Sequence, residues 1–182
     1  AFEFENAFYL TCKTSRIAKL LAHYELFRKA IDLEGDIVEC GVYKGASLTR
    51  FAMLREIFKM NHKKILGFDS YGSFPETKFK GDIELRQKFI DTAGNQSISK
   101  QQLEEVLIKK ECYHSIKLIE GDICKEIPKY VKETQNLKIS LLNLDVDIYE
   151  PSVVVLEQLF PLIVKGGILI LDDYKVFPGE TK

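Results

Sequence analysis

The stretch DIVECGVYKGAS, residues 36–47, places a short apolar, β-branched run directly before two glycines, Gly41 and Gly45, and a serine able to open a helix, Ser47. Glycine lets a chain turn sharply and lets a ligand approach the backbone, so the segment reads as strand, tight loop and helix start. The helical period continues through SLTRFAMLREIFKM, residues 47–60. Upstream, Ile17, Leu20, Leu21, Tyr24, Phe27 and Ile31 recur at three- and four-residue spacing behind Thr14 and Ser15, which describes an amphipathic helix that Gly35 ends. Downstream the pattern repeats: KILGFDS (64–70), SIKLIEGDI (115–123), ISLLNLDVD (139–147) and GGILILDDY (166–174) are strands, and SKQQLEEVLIKK (99–110) and SVVVLEQLFPLIV (152–164) are helical. Nearly continuous apolar strands alternating with helices predict an α/β fold, a doubly wound, mostly parallel sheet covered on both faces.

With 182 residues and 46% hydrophobic composition the chain can bury one core, as a single domain or most of one. Residues 1–34 are its N-terminal helices and 35–182 its sheet-containing core. Residues 71–99 interrupt the repeat with Gly72, Pro75, Gly81 and Gly94, their only helical piece lying near DIELRQKFID. This insertion is either a wall or lid for a site or a plain surface excursion. The 26 Lys+Arg nearly balance the 27 Asp+Glu, which argues against nucleic acid or an anionic membrane as partner, since both need a basic surplus. No apolar run approaches the roughly 20 residues that cross a bilayer. The four cysteines, Cys12, Cys40, Cys112 and Cys124, form no CxxC pair and suit reduced thiols in a cytoplasm. The start without Met and the finish at KVFPGETK lead us to expect a portion of a longer chain.

Each strand ends on an acid or a glycine turn: Glu39 and Gly41, Asp69, Gly121 and Asp122, Asp145 and Asp147, Asp172 and Asp173. In a parallel sheet these ends share one edge, where ligands bind. Taken singly, each acid is as well read as the cap of the helix that follows; taken together they predict a common cleft. The spacing Gly41-x-x-x-Gly45 lacks the third glycine of a pyrophosphate loop. Asp69, at the end of the second strand, can accept both hydroxyls of a ribose, and Asp122 can receive the exocyclic amine of adenine. The implied ligand is a nucleoside.

The ordered motifs VECGVYKGAS, GFDSYGSFPE, GDI, LLNLDVDIYEPS and GGILILDDY resemble the S-adenosylmethionine-dependent methyltransferases of class I, whose fold is Rossmann-like, and more narrowly the macrocin O-methyltransferase family, which methylates sugar hydroxyls on natural products. The resemblance spans roughly residues 12 to 178. It implies cofactor contacts from Glu39, Gly41, Gly45, Ser47, Asp69 and Ser70, and a divalent metal held by Asp145, Asp172 and Asp173. Those three offer only hard oxygen donors, which suits Mg²⁺ and not zinc. Asp147 is either a partner of the ligands or the general base, with His114 a weaker candidate. The resemblance also suggests a homodimer and further C-terminal strands. The expected reaction is methyl transfer to a hydroxyl of a sugar or glycosylated small molecule. The rival readings are a nicotinamide-dependent oxidoreductase on a similar sheet and a non-catalytic nucleoside binder.

Overall fold

The computed structural model describes residues 2–182. Five strands, β1 (Asp36–Cys40), β2 (Ile65–Asp69), β3 (Ile116–Glu120), β4 (Ile139–Leu144) and β5 (Ile163–Leu171), form one sheet in the order β3-β2-β1-β4-β5. Every neighbouring pair is parallel. The chain winds outward from β1 to β3, then crosses back to lay β4 on the other side of β1. That reversal opens a crevice beyond the carboxyl ends of β1 and β4, the usual ligand position in an open α/β sheet.

Two helices precede the sheet, α1 (Phe2–Thr11) and α2 (Thr14–Lys29). Helix α2 ends at Lys29, six residues short of Gly35, and a turn fills the interval. Gly35 is needed there for another reason: its φ is +102°, and a Cβ on it would stand 2.6 Å from the Lys138 carbonyl carbon. The remaining helices are α3 (Ala46–Ile57), α4 (Lys80–Ala93), α5 (Lys100–Lys109), α6 (Ile123–Glu133), α7 (Tyr149–Leu159) with a 3-10 turn at Phe160–Leu162, and α8 (Pro178–Thr181). No helix among the described residues is long and apolar enough to cross a membrane.

Strand alternation sorts the core into two layers. Ile37, Ile65 and Leu141 face Phe27 of α2, Leu48 and Phe51 of α3 and Leu103 and Leu107 of α5. Val38, Leu66 and Leu142 face Ile127 of α6 and Val155 and Leu159 of α7. All residues of β2 and β4 are buried, as expected of strands covered on both faces, whereas β5 is only partly covered.

The insertion forms α4 and returns through a single antiparallel bridge between Ser73 and Gln96. Asp82 in its first turn is fully buried and accepts the amides of Tyr149 at 2.9 Å and Gly179 at 2.9 Å. One carboxylate therefore ties the insertion to the starts of α7 and α8, over the strand edge.

Candidate active site

The turn after β1 touches the turn after β4. Gly41 sits at φ +88°, and a Cβ there would overlap the carbonyl oxygen of Asp145 and lie 2.5 Å from its carbonyl carbon. The Gly41 amide donates to Phe68 O at 2.9 Å and the Asp145 amide to Cys40 O at 2.9 Å, so both turns are held by the ladder as well as by contact.

Asp69 organises the neighbouring wall. Its Oδ2 accepts the amides of Val42 at 2.8 Å and Tyr43 at 2.9 Å, and its Oδ1 accepts the Tyr71 amide at 2.7 Å and the Ser97 hydroxyl at 3.0 Å. Tyr43 and Tyr71 both have φ of 48°, a left-handed conformation that disfavours side-chain-bearing residues by about 1–2 kcal/mol. Charge-assisted bonds from one carboxylate hold both, and through Ser97 they hold the end of the insertion as well. The oxygens expected to meet a ribose thus already receive protein donors. Ser70, next along, donates its hydroxyl to Ser73 O at 3.1 Å.

These turns enclose a cavity of about 550 Å³. Gly41, Asp69, Ser70, Asp122, Asp145 and Asp147 all line it, and the insertion supplies Phe74, Phe89 and Ser97 to its wall. Asp122 serves twice, lining the cavity and capping α6 by accepting the Cys124 amide at 3.0 Å. Of the two readings of the insertion, the wall is the one the coordinates show.

Glu39, Gly45 and Ser47, named with the cofactor contacts, are not among the residues lining this cavity. Glu39 belongs to the odd-numbered positions of β1 and turns beneath α3, where it is fully buried and accepts the Ser47 hydroxyl and the Asn143 amide, the latter at 3.0 Å. Gly45, at φ +78°, lies under Leu103, whose Cδ1 would be 2.7 Å from a Cβ. The three support the loop from behind. Burial pushes the Glu39 carboxyl up to about 7, against the hydrogen bonds from Ser47 and Asn143, and its Oε2 has no partner among the described residues.

A carboxyl raised in the folded state stabilises the fold below its unfolded value and loses that contribution as pH climbs toward its folded value. The unfolded reference is 4.5 and the folded value about 7. Wild type should therefore lose about 2–3 kcal/mol between pH 4.5 and 7 through Glu39. Glu39→Gln should remove that part of the slope. Urea unfolding at pH 5 and pH 8 checks this; a variant whose stability falls as steeply as wild type contradicts it.

At the far side of the rim, one carboxylate oxygen each from Asp145, Asp147 and Asp173 lies within 4.8 Å of the others. Burial first, then a hydrogen bond and repulsion from Asp173, push Asp147 up to about 10. Burial and then Asp172 raise Asp145 well above the ordinary carboxylate range. Glu180 of α8 joins them: its Oε1 accepts the Asp173 amide at 3.0 Å, its Oε2 is buried without a partner among the described residues, and burial raises the carboxyl to about 7.

Of the expected trio, Asp145 and Asp173 lie together in this group with Asp147, and Asp172 lies outside it. The amide of Asp172 still bonds to Leu144 O at 3.0 Å, one residue past the end of β5, and the chain turns there through Asp173. Asp173 meets Asp147, and Asp172 meets Lys19 of α2 at 2.6 Å. Burial works against the Lys19 charge, but Asp145 and Asp172 more than offset it and raise its pKa. His114 is excluded from the cavity lining; it precedes β3, at the opposite end of the sheet, and pairs with Glu56 at 3.4 Å.

The sequence model of the macrocin-O-methyltransferase (TylF) family matches residues 9–182. The chain belongs to the macrocin-O-methyltransferase family. Among its relatives, the 8-demethyl-8-(2,3-dimethoxy-alpha-L-rhamnosyl)-tetracenomycin-C 4'-O-methyltransferase of Streptomyces olivaceus is 25% identical over 146 residues, 78% of this chain and 54% of that protein. The demethyldecarbamoylnovobiocin O-methyltransferase of Streptomyces niveus is 23% identical over 151 residues, 81% of this chain and 55% of that protein. The chain thus spans about half the length of these curated relatives. The crystal structure of CalS11, a calicheamicin methyltransferase, superposes with a TM-score of 0.78 at 29% identity, covering 98% of this chain and 74% of that one. The O-methyltransferase NovP shares the fold, with a TM-score of 0.73 at 20% identity over 90% of this chain and 67% of its own.

Macrocin-O-methyltransferase family membership implies S-adenosylmethionine, and the volume of the cavity falls within the range of small-molecule sites. Gly41 brings backbone to it and Asp122 puts a carboxylate on its wall, while Asp69 shapes that wall with its oxygens taken up by protein donors. The acid cluster is also suited to a hard divalent cation. Its donors are all carboxylate oxygens, and crowding of this kind is relieved either by protons or by a metal.

Proposed function

We propose that this chain is the catalytic core of an enzyme that transfers the methyl group of S-adenosylmethionine to a hydroxyl of a sugar or glycosylated small molecule, with a divalent cation at the acid cluster. The observation that supports this most is the shared rim: Gly41 and Asp69, suited to a nucleoside, line the same cavity as Asp145 and Asp147. Relatives named for O-methylation of rhamnosyl and novobiocin compounds point to the sugar hydroxyl, and family membership sets the nicotinamide reading aside.

In-line displacement needs the acceptor oxygen, the methyl carbon and the sulfonium sulfur in a row. The oxygen–carbon bond forms as the carbon–sulfur bond breaks, and the sulfur leaves as a neutral thioether. Gly41, Asp69 and Ser70 orient the donor from one side of the cavity. Asp145, Asp147 and Asp173 would hold Mg²⁺ or a similar ion, which when bound lowers the pKa of a coordinated hydroxyl. The carboxylate of Asp147, beside the ion on the cavity wall, takes the hydroxyl proton. The insertion walls off water with Phe74 and Phe89. A cytoplasmic location and pairing of two copies belong to the same proposal, the first supported by four free cysteines and the second by the resemblance.

Titration with S-adenosylmethionine tests the donor site. Wild type should bind, and Asp69→Ala should weaken binding about 100-fold, because the carboxylate shapes the Gly41 turn as well as facing the ligand. Unchanged affinity in Asp69→Ala would remove that residue from the account.

A further inference from the structure

Lys19 stands on the outer flank of the acid cluster. Its ammonium is 2.6 Å from Asp172 Oδ2 and 3.7 Å from Asp145 Oδ2. Asp145 is therefore shared. One side belongs to the group formed with Asp147 and Asp173, and the other faces a lysine from the N-terminal helix. The position of that lysine is set by packing. One helical turn later, His23 is buried, stacks on Phe51 with ring centroids 5.0 Å apart and bonds Arg50 at 2.9 Å. This pins α2 against α3, while the four-carbon stem of Lys19 leaves its head free to move. The lysine side chain is 31% exposed, with water available to receive the head if it leaves.

We propose that Lys19 is a built-in counter-ion that holds Asp145 and Asp172 while the acid cluster lacks a divalent cation, and that it is displaced when the cluster takes one. The inference rests on the metal reading of the cluster. A monovalent ammonium and a divalent ion contend for Asp145, so each weakens the hold of the other. Released from Lys19, Asp172 becomes available as a further oxygen donor on the cation. N-terminal helix α2 becomes part of the metal site without supplying a ligand.

The test is Mn²⁺ titration of the whole chain by electron paramagnetic resonance at constant ionic strength, with melting temperatures in chelator and in saturating Mn²⁺. Lys19→Met should bind Mn²⁺ about tenfold more tightly than wild type, within the usual range of coupling between linked sites. In chelator it should melt below wild type, having lost the pair, and Mn²⁺ should raise its melting temperature more. Lys19→Arg, which keeps the charge, should stay near wild type. So should Lys29→Met, which makes the same change in net charge about 15 Å further along the helix. Equal or weaker binding in Lys19→Met, or equal tightening in Lys29→Met, overturns the proposal while leaving the metal reading intact. If neither wild type nor Lys19→Met binds Mn²⁺, the metal reading falls and the role of Lys19 falls with it.

Discussion

Gly41→Ala should lower the stability of the chain by about 3 kcal/mol or more and abolish binding of the methyl donor. Two effects add. At φ +88° an alanine is held in left-handed backbone, a penalty of about 1–2 kcal/mol. The added methyl then overlaps the Asp145 carbonyl, and what it meets is backbone, with no flexible side-chain end to give way. Either the β1 turn or the β4 turn must move, and both are bonded into the sheet through Phe68 O and Cys40 O. Movement of the first spoils the nucleoside wall, and movement of the second misplaces Asp145. Gly94 supplies the control. Its φ is +90°, but nothing lies within 4 Å of its Cβ position, so Gly94→Ala should show the backbone penalty alone and keep donor binding. Urea unfolding and donor titration of both variants check this. Similar losses in the two would mean that contact with Asp145 is immaterial.

Asp145→Asn should cut methyl transfer about 1,000-fold, equivalent to about 4 kcal/mol of transition-state stabilisation. Asp145 lines the cavity, belongs to the three-acid cluster and lies on the β4 turn that touches Gly41. Its burial is unfavourable to the charged form, as is the nearness of Asp172. The neutral amide should therefore leave the fold in chelator about as stable as wild type. The same variant should no longer gain stability from Mn²⁺. Turnover within tenfold of wild type would take Asp145 out of the mechanism.

The architecture was legible because hydrophobic pattern and turn chemistry agreed. Ile37 and Val38 before Gly41, and the apolar runs of β2 and β4, could only be buried strands, and their terminal acids had to share an edge once the sheet was parallel. Side-chain direction at that edge was harder to read. Glu39 and Asp69 are both acids at strand ends, yet Glu39 turns under α3 while Asp69 lines the cavity; the difference depends on the packing of Ser47 and Asn143 against Glu39. Asp172 and Asp173 are adjacent in the turn after β5, and only their contacts in the folded chain, Lys19 for the first and Asp147 for the second, tell them apart. Lys19 and Glu180 carried no motif. Lys19 is the polar position of an amphipathic helix, and Glu180 lies on a single helical turn, so tertiary packing alone brings them to the rim.

The central claim is that one rim holds both a nucleoside grip and a cation grip. Crystals grown with S-adenosylhomocysteine, the spent thioether of the donor, and with Mn²⁺ test it most directly through the anomalous signal of the metal. The account predicts the adenosine in the cavity between the Gly41 turn and Asp122, and a Mn²⁺ peak bounded by Asp145, Asp147 and Asp173. A thioether bound elsewhere, or no metal peak at those acids in saturating Mn²⁺, would contradict it.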